Sequence, residues 1–415
     1  MRRLAVGVAA ICFSLCAHAE QPTTTTPPAA GALSIRSVAL AGELSPSVTA
    51  LPDGGFVVTT LSRQGAEATL SAQTISIDGE PGSVRPVARG EGWFVNWADF
   101  PSLAIADNGD WVSFYLLKSD PSRPYAYDIM LLRSTDQGAS WSQPQKLHDD
   151  DTHTEHGFVS LISASDPEHA DAVVAVWLDG RRSAAPPAEG AEHEHEGVVT
   201  TLRSTVVFRD HIEPSVELDA RTCDCCTTDA AKLGDQLVTV YRDRSLDEFR
   251  DIGFLRRRGG AWSAPAHVAS DGWRIAGCPV NGPALTTSGG QGLATWPTMQ
   301  GEDMLVRSAR FVDGSWSAAQ VIDRGRNVLG RVDLASWTSG QSLVSWLGAS
   351  EQGTTLWLGI VDESGRLERR QPVATLPPGR STGMPRLASS ADRALLVWTE
   401  PGAERTRVVG AWISP

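Results

Sequence analysis

A short β-branched run ending in an aromatic residue recurs along the whole chain, and no other feature restricts the fold as tightly. Val173-Val174-Ala175-Val176-Trp177 is the clearest copy. Leu237-Val238-Thr239-Val240-Tyr241, Leu293-Ala294-Thr295-Trp296, Leu343-Val344-Ser345-Trp346 and Leu395-Leu396-Val397-Trp398 repeat it. Val112-Ser113-Phe114-Tyr115 and Val57-Val58-Thr59-Thr60 are looser copies. The seven runs end at positions 60, 115, 177, 241, 296, 346 and 398, so they are 50 to 64 residues apart. A single small sheet of this kind cannot bury both faces, and like sheets must stack around an axis. The spacing predicts an all-β protein, a β-propeller of seven four-stranded blades. Six blades is the alternative count, and a pair of smaller sandwich domains is the rival architecture.

Each aromatic-ended strand is preceded by a short innermost strand, such as Pro101-Ser102-Leu103 or Pro385-Arg386-Leu387, and followed by a third strand and a turn. After Thr406–Ile413 the chain stops at Pro415, so the last blade lacks its outer strand. Leu33–Leu40 is the segment expected to supply it, which would pair the two ends of the chain and cover a sheet edge.

The first 19 residues read as a secretory signal: Arg2 and Arg3, an apolar stretch from Leu4 to Leu15, then Ala17-His18-Ala19. Residues 20–31 read as a flexible Thr/Pro leader and 32–415 as the single propeller domain. The expected location is therefore the periplasm or the medium. No later segment is long and apolar enough to span a membrane. The formal charge of −13 becomes about −15 once Arg2 and Arg3 are removed, which argues against nucleic acid as a partner. A monomer is expected.

In a propeller, loops from a fourth strand to the next innermost strand share one face with loops from second to third strands. The chemically distinctive residues sort onto that face. Arg181, Arg221, Arg242, Arg331 and Arg380 are candidates to hold an anion, because guanidinium groups bind carboxylates bidentately. Bridging of loops through Asp179 and Asp243 is the structural alternative for Arg181 and Arg242. Asp99, Glu155 and Asp179 are the acid/base candidates, with Asp224 and Asp243 beside them, since glycoside cleavage uses two carboxyl groups across the scissile bond. Trp97, Trp273 and Asn281 are placed to contact a sugar, and Tyr125 and Tyr127 are the best-placed tyrosines. Trp93 belongs with the loop tryptophans.

After the signal, four cysteines remain: Cys223, Cys225, Cys226 and Cys278. Export favours disulfides, with the pairing open. The other reading is a thiolate site for zinc or copper, helped by His153 or His156; no cofactor is required by the rest of the sequence. The run Glu192-His193-Glu194-His195-Glu196 reads as a solvated insertion.

Ser134-Thr135-Asp136-Gln137-Gly138-Ala139-Ser140-Trp141 matches the Asp-box, S-x-D-x-G-x-x-W. With the repeats, it resembles the sialidase/BNR-repeat superfamily. More narrowly, Thr152–Phe158 (THTEHGF), Leu178–Arg181 (LDGR), Arg221–Cys226 (RTCDCC), Tyr241–Ser245 (YRDRS) and Gly277–Pro283 (GCPVNGP) resemble a group of exported bacterial proteins of exo-α-sialidase-like type. The resemblance implies a propeller and a glycoside hydrolase acting on an acidic glycan. True sialidases imply six blades, three arginines on the substrate carboxylate, a Tyr–Glu nucleophile pair and an Asp acid/base. This chain has no Arg-Ile-Pro motif near its start, one complete Asp-box and no Tyr after Tyr241, so no individual catalytic role is carried over. The expected partner is an acidic glycan or another small anion. A non-catalytic binding propeller on the same mouth, or a metal-binding one, is the alternative.

Overall fold

The computed structural model describes Met1 and residues 33–164, 166, 168–184, 199–288 and 290–415. The signal, the leader and the Glu192–Glu196 run lie outside the described residues. Residues 33–415 form one compact unit. It consists of seven antiparallel sheets, each a four-stranded blade, and the fold is a seven-bladed β-propeller. The blades cover 44–90, 103–146, 156–219, 229–269, 284–325, 328–376, and 386–414 with 34–39. In the fourth and fifth blades the outer strand is split into two short pieces that pair with the same third strand. No helix among the described residues is long and apolar enough to cross a membrane.

All seven sequence repeats lie in the second strand of a blade. Those strands are buried on both faces, which is why they read as unbroken Val/Leu/Trp runs and not as alternation. The core is correspondingly a set of contacts between neighbouring blades. Phe114, Ile129 and Leu131 of the second blade pack on Val173, Ala175 and Trp177 of the third. Each such side chain contributes roughly 1.5–3 kcal/mol by leaving water. Trp177, Trp296 and Trp346 are fully buried, and each indole N–H finds a carboxylate: Asp179, Asp271 and Asp323.

The ring closes as the unmatched last blade required. Ser34–Ala39 pairs antiparallel with Thr406–Ser414, Ser34 opposite Ser414 and Ala39 opposite Val409. At the other end of the blades the Asp-box does local work. Asp136 accepts from Ser134 Oγ, Ser140 N and Ser140 Oγ at 2.6–2.8 Å, and these bonds hold its carboxyl down at about 2. Gly138 sits at φ +81°, where a side chain would also strike Trp111.

Three aspartates on or just before innermost strands staple one blade to the next. Asp99, Asp229 and Asp333 accept the backbone N–H of Phe158, Leu285 and Leu387 at 2.6–2.8 Å. Innermost strands carry strained backbone at several blades: Ser45, Phe158 and Arg331 within theirs, and Val280 just ahead of Ala284–Ser288, have φ near +50° without being glycine. Register shifts fall beside three of them, so bulges bring the loops over the mouth.

Candidate active site

Tyr127 opens the third strand of the second blade. It is fully buried and stacked on Phe94, with ring centroids 4.0 Å apart. Its hydroxyl lies 2.7 Å from Asp99 Oδ2 and 2.7 Å from Glu155 Oε1. A phenol has one proton and can donate to one of them; the other contact is a hydrogen bond only if that carboxyl keeps its own proton and donates to the phenol oxygen. Burial raises Asp99 to about 7 and Glu155 to about 8, the latter also pushed up by the charges of Asp99 and Asp224. Burial likewise raises Tyr127 well above its ordinary value. The trio therefore holds carboxyl protons near neutrality, and they titrate as one coupled unit. Asp99 is 2% exposed, whereas Glu155 is half-buried, so Glu155 is the member that solvent and ligands reach. Gly157 has no side chain because a Cβ there would strike the Asp99 carboxylate and the Tyr127 ring.

Asp179 has a different neighbourhood. It takes Arg181 bidentately, Nε to Oδ1 at 2.8 Å and Nη2 to Oδ2 at 2.9 Å, and accepts the Trp177 indole. Arg181 also meets Asp149 at 2.9 Å and Asp150 at 3.2 Å. The bridging reading of Arg181 is the one the geometry fits, because three carboxylates occupy its guanidinium. Beneath it, His156 Nε2 lies 2.9 Å from Asp150, and His148 stacks on His156 at 3.8 Å. Asp150 is held far below the usual carboxylate range: its burial, which raises it, is outweighed by bonds from His148, His156 and Thr152. His156 is thus buried inside an ion-pair network, while His153 is exposed and presents its carbonyl to Arg123 at 3.2 Å.

The expected arginines separate into three groups. Arg242 is 1% exposed and gives its guanidinium to the carbonyls of Asn281, Arg250 and Pro297 at 2.6–2.8 Å. Those bonds turn it away from the mouth and make it a clamp between loops, and burial lowers it to about 9. Trp273 is 7% exposed and lies under the same guanidinium at 4.8 Å, so it too packs inward. Trp93 stacks on Tyr115 at 4.1 Å. Arg221 joins Arg244 and Arg250 around Glu248, at 3.7, 2.7 and 2.7 Å. Three guanidinium groups do meet in one place, but around a carboxylate of the protein itself.

Arg331 and Arg380 form the third group. Their guanidinium carbons lie 4.5 and 6.0 Å from the Trp97 ring. Among the described residues no carboxylate is within ion-pair distance of either. Burial, and then the charge of Arg380, lower Arg331 to about 10. With Trp97, Cys278, Asn281 and Glu351 they line an open cavity of about 690 Å³. Asn281 is itself tied to the neighbouring blade, accepting Arg331 N at 2.8 Å. Trp97 and Asp99 stand two residues apart on one loop, but no member of the trio lines this cavity; Asp99 lines a separate one of about 400 Å³ with Phe158, Asp229 and Arg386.

The four cysteines are paired as Cys223–Cys226 and Cys225–Cys278, with Cα separations of 5.8 and 6.1 Å. The structure thus joins the four sulfurs as two disulfides. The Cys225–Cys278 bond ties the loop entering the fourth blade to the loop entering the fifth. The charge of Asp224, between Cys223 and Cys225, acts on Glu155, so the cysteine loop and the His153 loop stand at the same mouth.

Sequence reasoning did not find Glu248, Arg250 or the pairing of Arg331 with Arg380. The clue to the first two was the density of charge in the second-to-third loop after Tyr241; the third had no local signal.

No family model matches the chain, and no curated protein matches it. Solved structures do. A protein of unknown function from Dyadobacter fermentans DSM 18053 aligns with a TM-score of 0.53 at 11% identity, over 92% of this chain and 99% of that one. The polysaccharide lyase Uly1 aligns with a TM-score of 0.50 at 9% identity, over 89% and 90%. A Trypanosoma rangeli sialidase aligns more loosely, with a TM-score of 0.46 at 11% identity, over 91% and 59%. Likeness at this identity establishes the shared propeller fold.

Proposed function

We propose that the protein is an exported glycoside hydrolase acting on an acidic glycan at this mouth. The observation that carries the proposal is Tyr127 held between buried Asp99 and half-buried Glu155, at a mouth where Arg331 and Arg380 pair with no acid among the described residues. Glu155 keeps its proton through neutral pH because burial raises it to about 8, which suits a general acid. Its O–H is donated to the glycosidic oxygen as the bond to the anomeric carbon breaks. Asp224, the neighbouring carboxyl outside the trio, takes the proton of the water that attacks that carbon. The products are a hemiacetal and a free alcohol; Asp224 gives its proton to solvent, and Glu155 takes one back from solvent. Arg331 and Arg380 hold the acidic group of the sugar, and Trp97 offers a face to the ring. With a polysaccharide lyase among the structural neighbours, polysaccharides are the first substrates to test.

The test is release of reducing ends from polysaccharides containing uronic or sialic acid, by the wild type and by Glu155→Gln. Loss of about 10²–10⁴-fold in the variant is expected. Products that absorb as unsaturated sugars would assign the site to elimination instead. A second reading, a binding propeller without turnover, is favoured by the full burial of Tyr127. Saturable binding with no new reducing ends from any acidic glycan would establish it and end the hydrolase proposal.

A further inference from the structure

The two disulfides differ sharply in access. Cys223 and Cys226 are 0% and 1% exposed, whereas Cys278 is exposed at the wall of the 690 Å³ cavity and its partner Cys225 is half-buried. The two bonds also touch: Cys225 Sγ lies 3.8 Å from Cys223 Sγ, about the contact distance of two sulfur atoms. Cys223 is pinned by its backbone, its N–H donating to the Arg242 carbonyl at 3.0 Å, and Arg242 is clamped in turn. A sulfur released at Cys225 therefore begins in contact with a fixed disulfide sulfur.

We infer that the four cysteines form a thiol–disulfide relay, in which an external dithiol opens the exposed Cys225–Cys278 bond and Cys225 passes the exchange to the buried Cys223–Cys226 bond. A thiolate of the dithiol attacks Cys278 Sγ; a mixed disulfide forms and Cys225 leaves as thiolate. Cys225 then attacks Cys223 Sγ. A Cys223–Cys225 bond forms, the Cys223–Cys226 bond breaks, and Cys226 leaves as thiolate and takes a proton. The second thiol of the dithiol attacks the mixed disulfide, and Cys278 leaves and is protonated. In sum the dithiol is oxidised to its disulfide, two protein disulfides become one, and two thiols appear, at Cys226 and Cys278. Direct attack on the buried pair is blocked because neither of its sulfurs is open to solvent. The relay does not depend on the glycan reading.

The experiment is reduction of the full exported protein with limiting dithiothreitol, followed by alkylation and peptide mapping without further reduction. After one disulfide equivalent is consumed, alkylation is expected at Cys226 and Cys278, with Cys223 and Cys225 joined. Alkylation at Cys225 and Cys278 with Cys223–Cys226 intact would overturn the relay. So would isolation of the untreated protein with four free thiols on zinc or copper. In the double variant Cys225→Ser, Cys278→Ser, reduction of Cys223–Cys226 is expected to slow at least about ten-fold, since its nucleophile is gone; an unchanged rate in a folded variant also overturns the relay. If that variant does not fold, the wild-type map decides alone.

Discussion

Asp99 and Asp179 are both buried carboxylates beneath the same mouth, at 2% and 0% exposure, and they solve the same electrostatic problem in opposite ways. Asp179 has Arg181 across a bidentate pair. Asp99 has no cation beside it among the described residues; a phenol and a backbone N–H are its partners, and burial keeps its proton on until about pH 7. The lesson is that residue type says little about a buried acid until its partner is known. One of these groups is bound up in holding loops together, and the other belongs to a store of exchangeable protons.

Three experiments test that contrast. The largest effect is expected from Arg181→Ala, which leaves Asp179 buried without its cation; a loss of about 3–5 kcal/mol in unfolding free energy should appear in chemical denaturation. A loss under 1 kcal/mol, about what an exposed pair is worth, would mean that the pair is not what holds Asp179. Next is the pH dependence of stability. The folded protein binds more protons at Asp99 and Glu155 than the unfolded chain does, because both are raised above their ordinary values. Their contribution is therefore full below about pH 4, falls through neutrality and is lost by about pH 8, so Asp99→Asn should flatten the decline in melting temperature over that window. Asp149, lowered to about 2 despite some burial because Arg181 and Ser215 bond to it, contributes in the opposite sense and is lost only in strong acid. The smallest effect is expected at the arginine pair. Arg380→Ala should weaken binding of a uronic acid oligosaccharide about ten-fold and reduce its salt dependence, while leaving the melting temperature within a degree or two. A stability loss as large as that of Arg181→Ala would remove the distinction between a paired and an unpaired arginine.

The fold was legible because its signal is local. Each second strand carries its own Val/Leu run and aromatic end, and seven of them at near-constant spacing leave few architectures open. The closing strand was legible for a similar reason, an unmatched last blade and a spare strand at the other end. The site was legible only as a list. Asp99, Tyr127 and Glu155 were all visible on the mouth loops, but each is 28 residues from the next, and no spacing says that one phenol will touch both acids. Arg242 looked the equal of Arg331 in sequence. It differs because three carbonyls from separate segments converge on it, the Pro297 one 55 residues away. Contacts between loops of different blades are set by the ring, and the ring is not written in any one loop.

The strand formed by Ser34–Ala39 has a bearing on how such a molecule is made. Its hydrogen-bond partner, Thr406–Ser414, leaves the ribosome only after the six blades that lie between them in sequence, so the earlier strand must wait for the later one. Until the two meet, Thr406–Ser414 is a bare edge ready to join another chain.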